Sequence, residues 1–257
     1  MNLDFDFFYS WVKSNLHIDL NAYKEKQLQR RIATIMKNSG ASDLREYAKL
    51  ISQDQETKNI FLDYITINVT EFFRNKEIFE QYEAVIKDVL IPRFRSINIW
   101  SAACSVGAEP YSIAIILDKY NLYKGNKILA TDIDDNILKK AQKGVFYDHQ
   151  LKNVSSKDLA HYFMQQDNEY VIDEKIKNMV SFKKHDLILD QYEKNLHSVV
   201  CRNVTIYFKN EAKDQIYAKI SQSLVSGGVL FTGATESIYN PKEIGLKKLS
   251  TFIYEKI

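Results

Sequence analysis

Only two cysteines, Cys104 and Cys201, occur in 257 residues, and the five histidines are scattered. They supply neither a disulfide framework nor metal-ligand spacing, so no metal site is expected. Long apolar runs are missing too: none reaches the roughly 18 residues that a bilayer span requires, and no direct membrane insertion is expected. The opening "MNLDFDFFYSW" is acidic and aromatic where a signal peptide is basic and then apolar, which points to a cytoplasmic location. A net charge of +2 is too small to imply a nucleic-acid partner. No internal repeat or low-complexity tract stands out. What remains is a globular composition, 45% hydrophobic and 26% charged, long enough for one large domain or two small ones.

The charge that does exist is local. In "YKEKQLQRRIATIMKN" the cations Lys24, Lys26, Arg30, Arg31 and Lys37 outnumber the single Glu25. Leu28, Ile32 and Ile35 recur at helical spacing, so this helix buries one side and shows a basic one. By itself that pattern fits a merely solvated helix face.

From residue 1 to about 95 the apolar periodicity is helical throughout. One break falls at "NSGASD", where Gly40 is expected to end a helix and Ser42 to cap the next, and Pro92 lies near the close. The character then changes. "INIWSAA", "NKILATDID", "HSVVCRNV" and "GGVLFTGA" are short apolar runs bounded by turn residues, the first three separated by helix-like stretches. Such alternation reads as an α/β domain with a largely parallel sheet. Between about 145 and 180 it lapses, and near-alternating residues around Tyr170 to Ile176 predict a small antiparallel β insertion.

"NIWSAACSVGAEPYSIAI" poses the functional question, because a strand, a glycine-bearing turn and a helix form the usual nucleotide cradle. A dinucleotide fingerprint needs three spaced glycines and brings a pyrophosphate to the helix N-terminus. Here Gly107 stands alone and Glu109 occupies the place of the phosphate, where two anions would repel. S-adenosylmethionine has no phosphate and carries a sulfonium and an ammonium, so a carboxylate beside the turn attracts it. The next strand ends in "ATDID", with Asp132 placed 25 residues beyond Gly107. An acid near that offset accepts hydrogen bonds from both ribose hydroxyls. The plainer alternative is that Glu109 and Asp132 only cap helices.

Five collinear blocks extend this reading: "INVTEFFRN", "WSAACSVGAEPYSIAI", "ATDID", "CRNVTIYF" and "GATESI". With them the chain resembles the CheR-type chemotaxis receptor methyltransferases over nearly its whole length. The resemblance implies a small helical N-terminal domain (1–75), a linker helix (76–95) and a Rossmann-like methyltransferase domain (96–257) carrying the insertion. It implies S-adenosylmethionine as cofactor, S-adenosylhomocysteine as product, and cofactor contacts on Asn68, Thr70, Arg74, Glu109, Asp132, Asp186, Leu187, Arg202 and Asn203. Two departures stand out: Ala108 replaces the first of two consecutive acids usual before the proline, and Asp186 stands where asparagine is frequent.

By the same resemblance the reaction is methyl transfer to glutamate side chains in the helical cytoplasmic region of chemoreceptors. A glutamate with a reference pKa of about 4.3 is already a nucleophile at neutral pH and needs alignment rather than a base. Arg74 and Tyr207 are the expected acceptor-orienting residues. The basic helix 24–37 is expected to dock the glutamate-rich methylation helices. Some relatives also bind the receptor's C-terminal pentapeptide along the β insertion through a glycine-rich extension; "QQDNEYV" has no glycine, so no such tether is expected. The chain is expected to be a monomer. Two rival readings are a methyltransferase of another acceptor and a degenerate domain that binds S-adenosylmethionine as a sensor.

Overall fold

The computed structural model describes residues 3–66, 70–122 and 125–257. Helices α1 (Phe5–Leu16), α2 (Glu25–Asn38), α3 (Leu44–Gln53) and α4 (Gln55–Thr66) form the N-terminal part. Asp4 starts α1 by accepting from the Phe7 N–H at 3.0 Å. Asp43, and not Ser42, starts α3: its carboxylate accepts from the amides of Arg45 and Glu46, both at 2.8 Å. Ser42 lies one residue too early to reach those amides and donates its own N–H and hydroxyl to Glu46. Leu28, Ile32 and Ile35 are buried, as their spacing predicts. They pack in one cluster with Phe8, Tyr47 and Phe61, whose rings lie 5.7 to 6.2 Å apart in stacked and edge-on pairs.

Residues 76–93 run as α5 (Lys76–Val85), a π-helical turn (Ile86–Leu90) and α6 (Ile91–Arg93), with Pro92 in the first turn of α6, where its missing N–H costs nothing. Then the sheet begins. Strand β1 (Asn98–Ala102) leads to α7 (Ala108–Lys119), β2 (Lys127–Asp132) and α8 (Asp135–Lys143). The insertion follows as β3 (Val145–Phe146), α9 (Asp148–Leu151), α10 (Ser156–Tyr162), β4 (Phe163–Gln166), β5 (Glu169–Ile172) and α11 (Glu174–Lys177). Its strands form an antiparallel sheet of order β3-β5-β4, which bears out the expected insertion. The chain re-enters the main sheet as β6 (Val180–Lys184) and β7 (Leu196–Cys201), crosses through α12 (Asn210–Ser223) to β8 (Leu224–Thr232), and ends in β9 (Leu246–Lys248) and β10 (Ile253–Lys256).

The seven-stranded order is β6-β2-β1-β7-β8-β10-β9. Strands β6 to β8 in that order are parallel, and β10 and β9 close the edge antiparallel. Helix α7 is apolar all round, with Pro110 to Asp118 buried, because the insertion covers the face the sheet does not. The order reverses at β1 and β7, so a crevice opens beyond their carboxyl ends, the place where α/β sheets take ligands.

The helical part is joined to this end of the sheet by main chain. Tyr23 forms an antiparallel bridge with Phe208. Beside it, Lys24 N donates to Tyr207 O at 2.9 Å and Lys209 N donates to Ala22 O at 2.8 Å.

Candidate active site

One cleft beyond the ends of β1, β2 and β7 collects Thr70, Arg74, Glu109, Asp132, Asp186, Leu187, Arg202, Asn203 and Tyr207, all from the sequence-expected set. Asn68 lies outside the described residues. Residues that sequence reasoning did not single out, among them Tyr23, Ser105 and His185, share the lining.

The turn after β1 is tight. Ala103 (φ 61°), Ser105 (φ 51°) and Gly107 (φ 92°) all take left-handed backbone, which turns the chain back over the strand end. A Cβ on Gly107 would lie 3.0 Å from the Tyr111 ring and 3.1 Å from the Ala141 methyl, so glycine is required there on steric grounds as well. Asp132, at the end of β2, holds this turn from beside it: Oδ2 accepts from Ser105 N at 2.9 Å and Oδ1 from Asp134 N at 3.2 Å. Burial pushes the Asp132 carboxyl up to about 6 against the pull of those amides. Two amide bonds leave acceptor capacity on a carboxylate.

Glu109 is not a free anion at the helix start. Its carboxylate accepts from Ser101 Oγ at 2.8 Å and pairs with Arg202 Nη1 at 3.5 Å. Arg202 is itself buried; it donates to the carbonyl of Arg74 at 2.8 Å and to Asn75 Oδ1 at 3.1 Å, and its guanidinium lies 4.6 Å from the Phe231 ring centroid. Burial pushes Glu109 up and Arg202 down, and each partner opposes the shift of the other. The sequence argument for a lone carboxylate facing a cationic ligand therefore needs amending: the local field at Glu109 is that of an ion pair.

Asp186 turns inward on its own loop, accepting from Ile188 N at 2.7 Å and Leu189 N at 3.3 Å. Asn203, at φ 59°, opens the turn after β7, and Tyr207 closes it in a 3₁₀ turn. Burial raises the Tyr207 hydroxyl, with Arg31 and Arg74 opposing it.

Glu236, from the "GATESI" segment, is a further residue that sequence reasoning did not single out. It is 2% exposed, and its carboxylate accepts from the amides of Asn203, Val204, Thr205, Ile206 and Gly233 and from the Thr205 hydroxyl. It fixes the whole Asn203–Tyr207 turn without lining the cleft.

Residues 3–66 match the CheR methyltransferase all-alpha domain and residues 68–253 match the CheR methyltransferase SAM binding domain. The chain belongs to the CheR methyltransferase family. It is 38% identical to a chemotaxis protein methyltransferase of Listeria monocytogenes over 98% of this chain and 97% of that one. It is 31% identical to chemotaxis protein methyltransferase 1 of Pseudomonas aeruginosa over 93% and 92% of the two chains. A further relative of the same name from Borreliella burgdorferi is 30% identical over 91% and 87%.

As a CheR methyltransferase the protein uses S-adenosylmethionine, and the chemistry of the cleft fits it. Asp132 offers a buried hydrogen-bond acceptor, Leu187 adds an apolar side chain to the lining, and the acids Asp132 and Asp186, neither of them paired with a cation among the described residues as Glu109 is with Arg202, suit a ligand that carries positive charge rather than phosphate. Among the described residues no helix is long and apolar enough to cross a membrane.

Proposed function

We propose that this CheR methyltransferase methylates glutamate side-chain carboxylates of chemoreceptors, as part of chemotaxis adaptation. One observation carries the acceptor side of the reading. A second groove, lined by Lys24, Arg30 and Arg31 of the α2 segment and by no carboxylate among the described residues, opens beside the cleft and shares Tyr207 with it. Lys24, Lys26, Arg30 and Lys37 are exposed, and Arg31 packs over the Tyr64 ring at 4.9 Å. A helix rich in glutamate has the complementary charge, and on this groove its side chains lie next to Tyr207. Asn68, Thr70, Arg74, Glu109, Asp132, Asp186, Leu187, Arg202 and Asn203 are proposed to form the cofactor site.

The bound cofactor supplies an electrophilic methyl on a sulfonium. The acceptor carboxylate is ionised at neutral pH, so the chain's own task is alignment, desolvation and exclusion of water. Tyr207, kept protonated by its raised pKa, donates a hydrogen bond to one carboxylate oxygen and leaves the other to attack in line. Arg74 orients the same group through its planar guanidinium. With the cofactor held, methyl transfer to the carboxylate oxygen would break the C–S bond, and the product ester would carry no charge to hold it among the cations.

The reading of a degenerate sensor rested on Ala108. That residue is fully buried in the first turn of α7, where its carbonyl accepts from Ser112 Oγ at 2.7 Å. Its departure from the usual acid is a packing feature. The two residues Asp167 and Asn168 make the whole connection from β4 to β5, which supports direct docking without a peptide tether. Incubation with methyl-labelled cofactor and receptor cytoplasmic fragments tests the proposal. Label released as volatile methanol by alkali is expected; alkali-stable label, or transfer only to other acceptors, overturns it.

A further inference from the structure

The cleft has a wall that does not come from the methyltransferase domain. Tyr23, in the connection before α2, lines it together with Asp132, Asp186 and Leu187. Its backbone is bridged to Phe208 and flanked by the hydrogen bonds of Lys24 to Tyr207 and of Lys209 to Ala22. Its ring meets that of Phe208 edge-on, at 4.8 Å and 63°. Phe208 is 4% exposed, so Tyr23 is held against a fixed neighbour rather than a mobile one.

We infer that Tyr23 is a cofactor-contacting residue, supplied by the helical domain, that closes the nucleoside end of the cleft. The inference rests on the cofactor site proposed above. Asp132 is the acceptor for vicinal hydroxyls, Asp186 and Leu187 lie in the loop that follows β6, and Tyr23 lines the same cleft from the helical part of the chain. A nucleoside needs a flat apolar surface as well as acceptors, and an aromatic ring supplies it with few rotamers to freeze. Burial and the carboxylates of Asp186 and Asp132 raise the Tyr23 hydroxyl, which stays a neutral donor at physiological pH.

This placement has a consequence for regulation. Helix α2 begins at Glu25, two residues after Tyr23, and the same bridge holds the backbone of Tyr207. Cofactor and docked acceptor therefore bear on one short segment. Linkage makes any effect of one ligand on the other reciprocal.

Calorimetric titration with S-adenosylmethionine and S-adenosylhomocysteine, on the full chain, tests it without any turnover. Tyr23→Ala is expected to weaken both ligands at least fivefold, and Tyr23→Phe, which keeps the ring, to stay within threefold of wild type. Tyr23→Leu keeps apolar bulk against Phe208 and serves if alanine unfolds the chain; it too is expected to lose at least fivefold. Asp132→Ala is the comparator. Wild-type affinity in folded Tyr23→Ala or Tyr23→Leu, beside a tenfold loss in Asp132→Ala, overturns the role of Tyr23 alone. Unchanged affinity in Asp132→Ala as well means that the cleft has been misassigned.

Discussion

Glu236→Ala removes one carboxylate and takes the acceptor from six donors at once, five amides and the Thr205 hydroxyl, of which the hydroxyl keeps a second partner in Tyr217 Oη. A hydrogen bond to a charged group is worth about 1.5 to 3 kcal/mol, so a naive sum over six is ~9 to 18 kcal/mol. That exceeds or matches the whole stability of an ordinary domain, about 5 to 15 kcal/mol, so the terms cannot add. The side chain leaves a space that water can enter, and the freed amides belong to one turn that can shift as a unit. A loss of ~3 to 5 kcal/mol, as for removal of one partner from a buried charged network, is the expected outcome. Glu236→Gln keeps one acceptor oxygen. With that oxygen at the Oε1 position it still serves Val204, Thr205 and Ile206, but its amide nitrogen then faces the N–H groups of Asn203 and Gly233. Its loss should be about half that of alanine. Urea unfolding gives the stability, and calorimetry on the folded variants gives cofactor affinity, which should fall because Asn203 is no longer fixed. An alanine variant that loses less than about 1 kcal/mol and binds cofactor normally would show that the turn holds itself and that the carboxylate is a bystander.

Two further outcomes follow from the site. Folding raises the Asp132 carboxyl from 3.8 to about 6, so between those values the folded chain holds a proton that the unfolded chain has lost. Ligand-free stability should thus fall as pH rises through this window. Cofactor affinity should run the other way, rising through pH 6 as the acceptor ionises; calorimetry between pH 5 and 8 checks it. Asp132→Asn should flatten that dependence, and an equal slope in the variant would hand it to Glu109 or Asp186. Tyr207→Phe should bind cofactor within about threefold of wild type yet transfer methyl at least tenfold more slowly, about 1.4 kcal/mol of transition-state stabilisation. Single-turnover transfer to a receptor fragment measures this, and an unchanged rate would leave Arg74 as the acceptor-orienting group.

Sequence reading reached those parts of the molecule whose cause is local. The β1 turn was legible because a lone glycine among small residues between an apolar strand and an apolar helix has few other uses. Asp132 was legible because strand ends carry ligands in such sheets. Strand β6 was not, since "VSFKK" lies at a sheet edge and mixes polar with apolar residues; β9 is the short strand at the opposite edge, and β10, between it and β8, is only four residues long. Glu236 reads as an ordinary loop acid until the amides around it are seen. Tyr23 sits in a nondescript connection, and its partner Phe208 lies 185 residues further along the chain. Both depend on contacts that no local pattern encodes. Glu109 was found for a reason that only half survives, because its partner Arg202 lies 93 residues further along the chain.

The turn after β1 also bears on how this enzyme can be improved or worn down. Ala103 and Ser105 hold left-handed backbone without being glycine, at a cost of order 1 kcal/mol each. Ala103→Gly would relieve that strain in the folded chain and at the same time add freedom to the unfolded one, so its net gain is small. What it would surely add is slack beneath the ligand. Selection for a more rugged variant has little to gain at this turn, and selection for turnover has much to lose. Stabilising changes should instead accumulate away from the cleft and the α2 groove, on the surfaces of α1 and α3 and in the β insertion, where backbone comfort and catalysis do not compete.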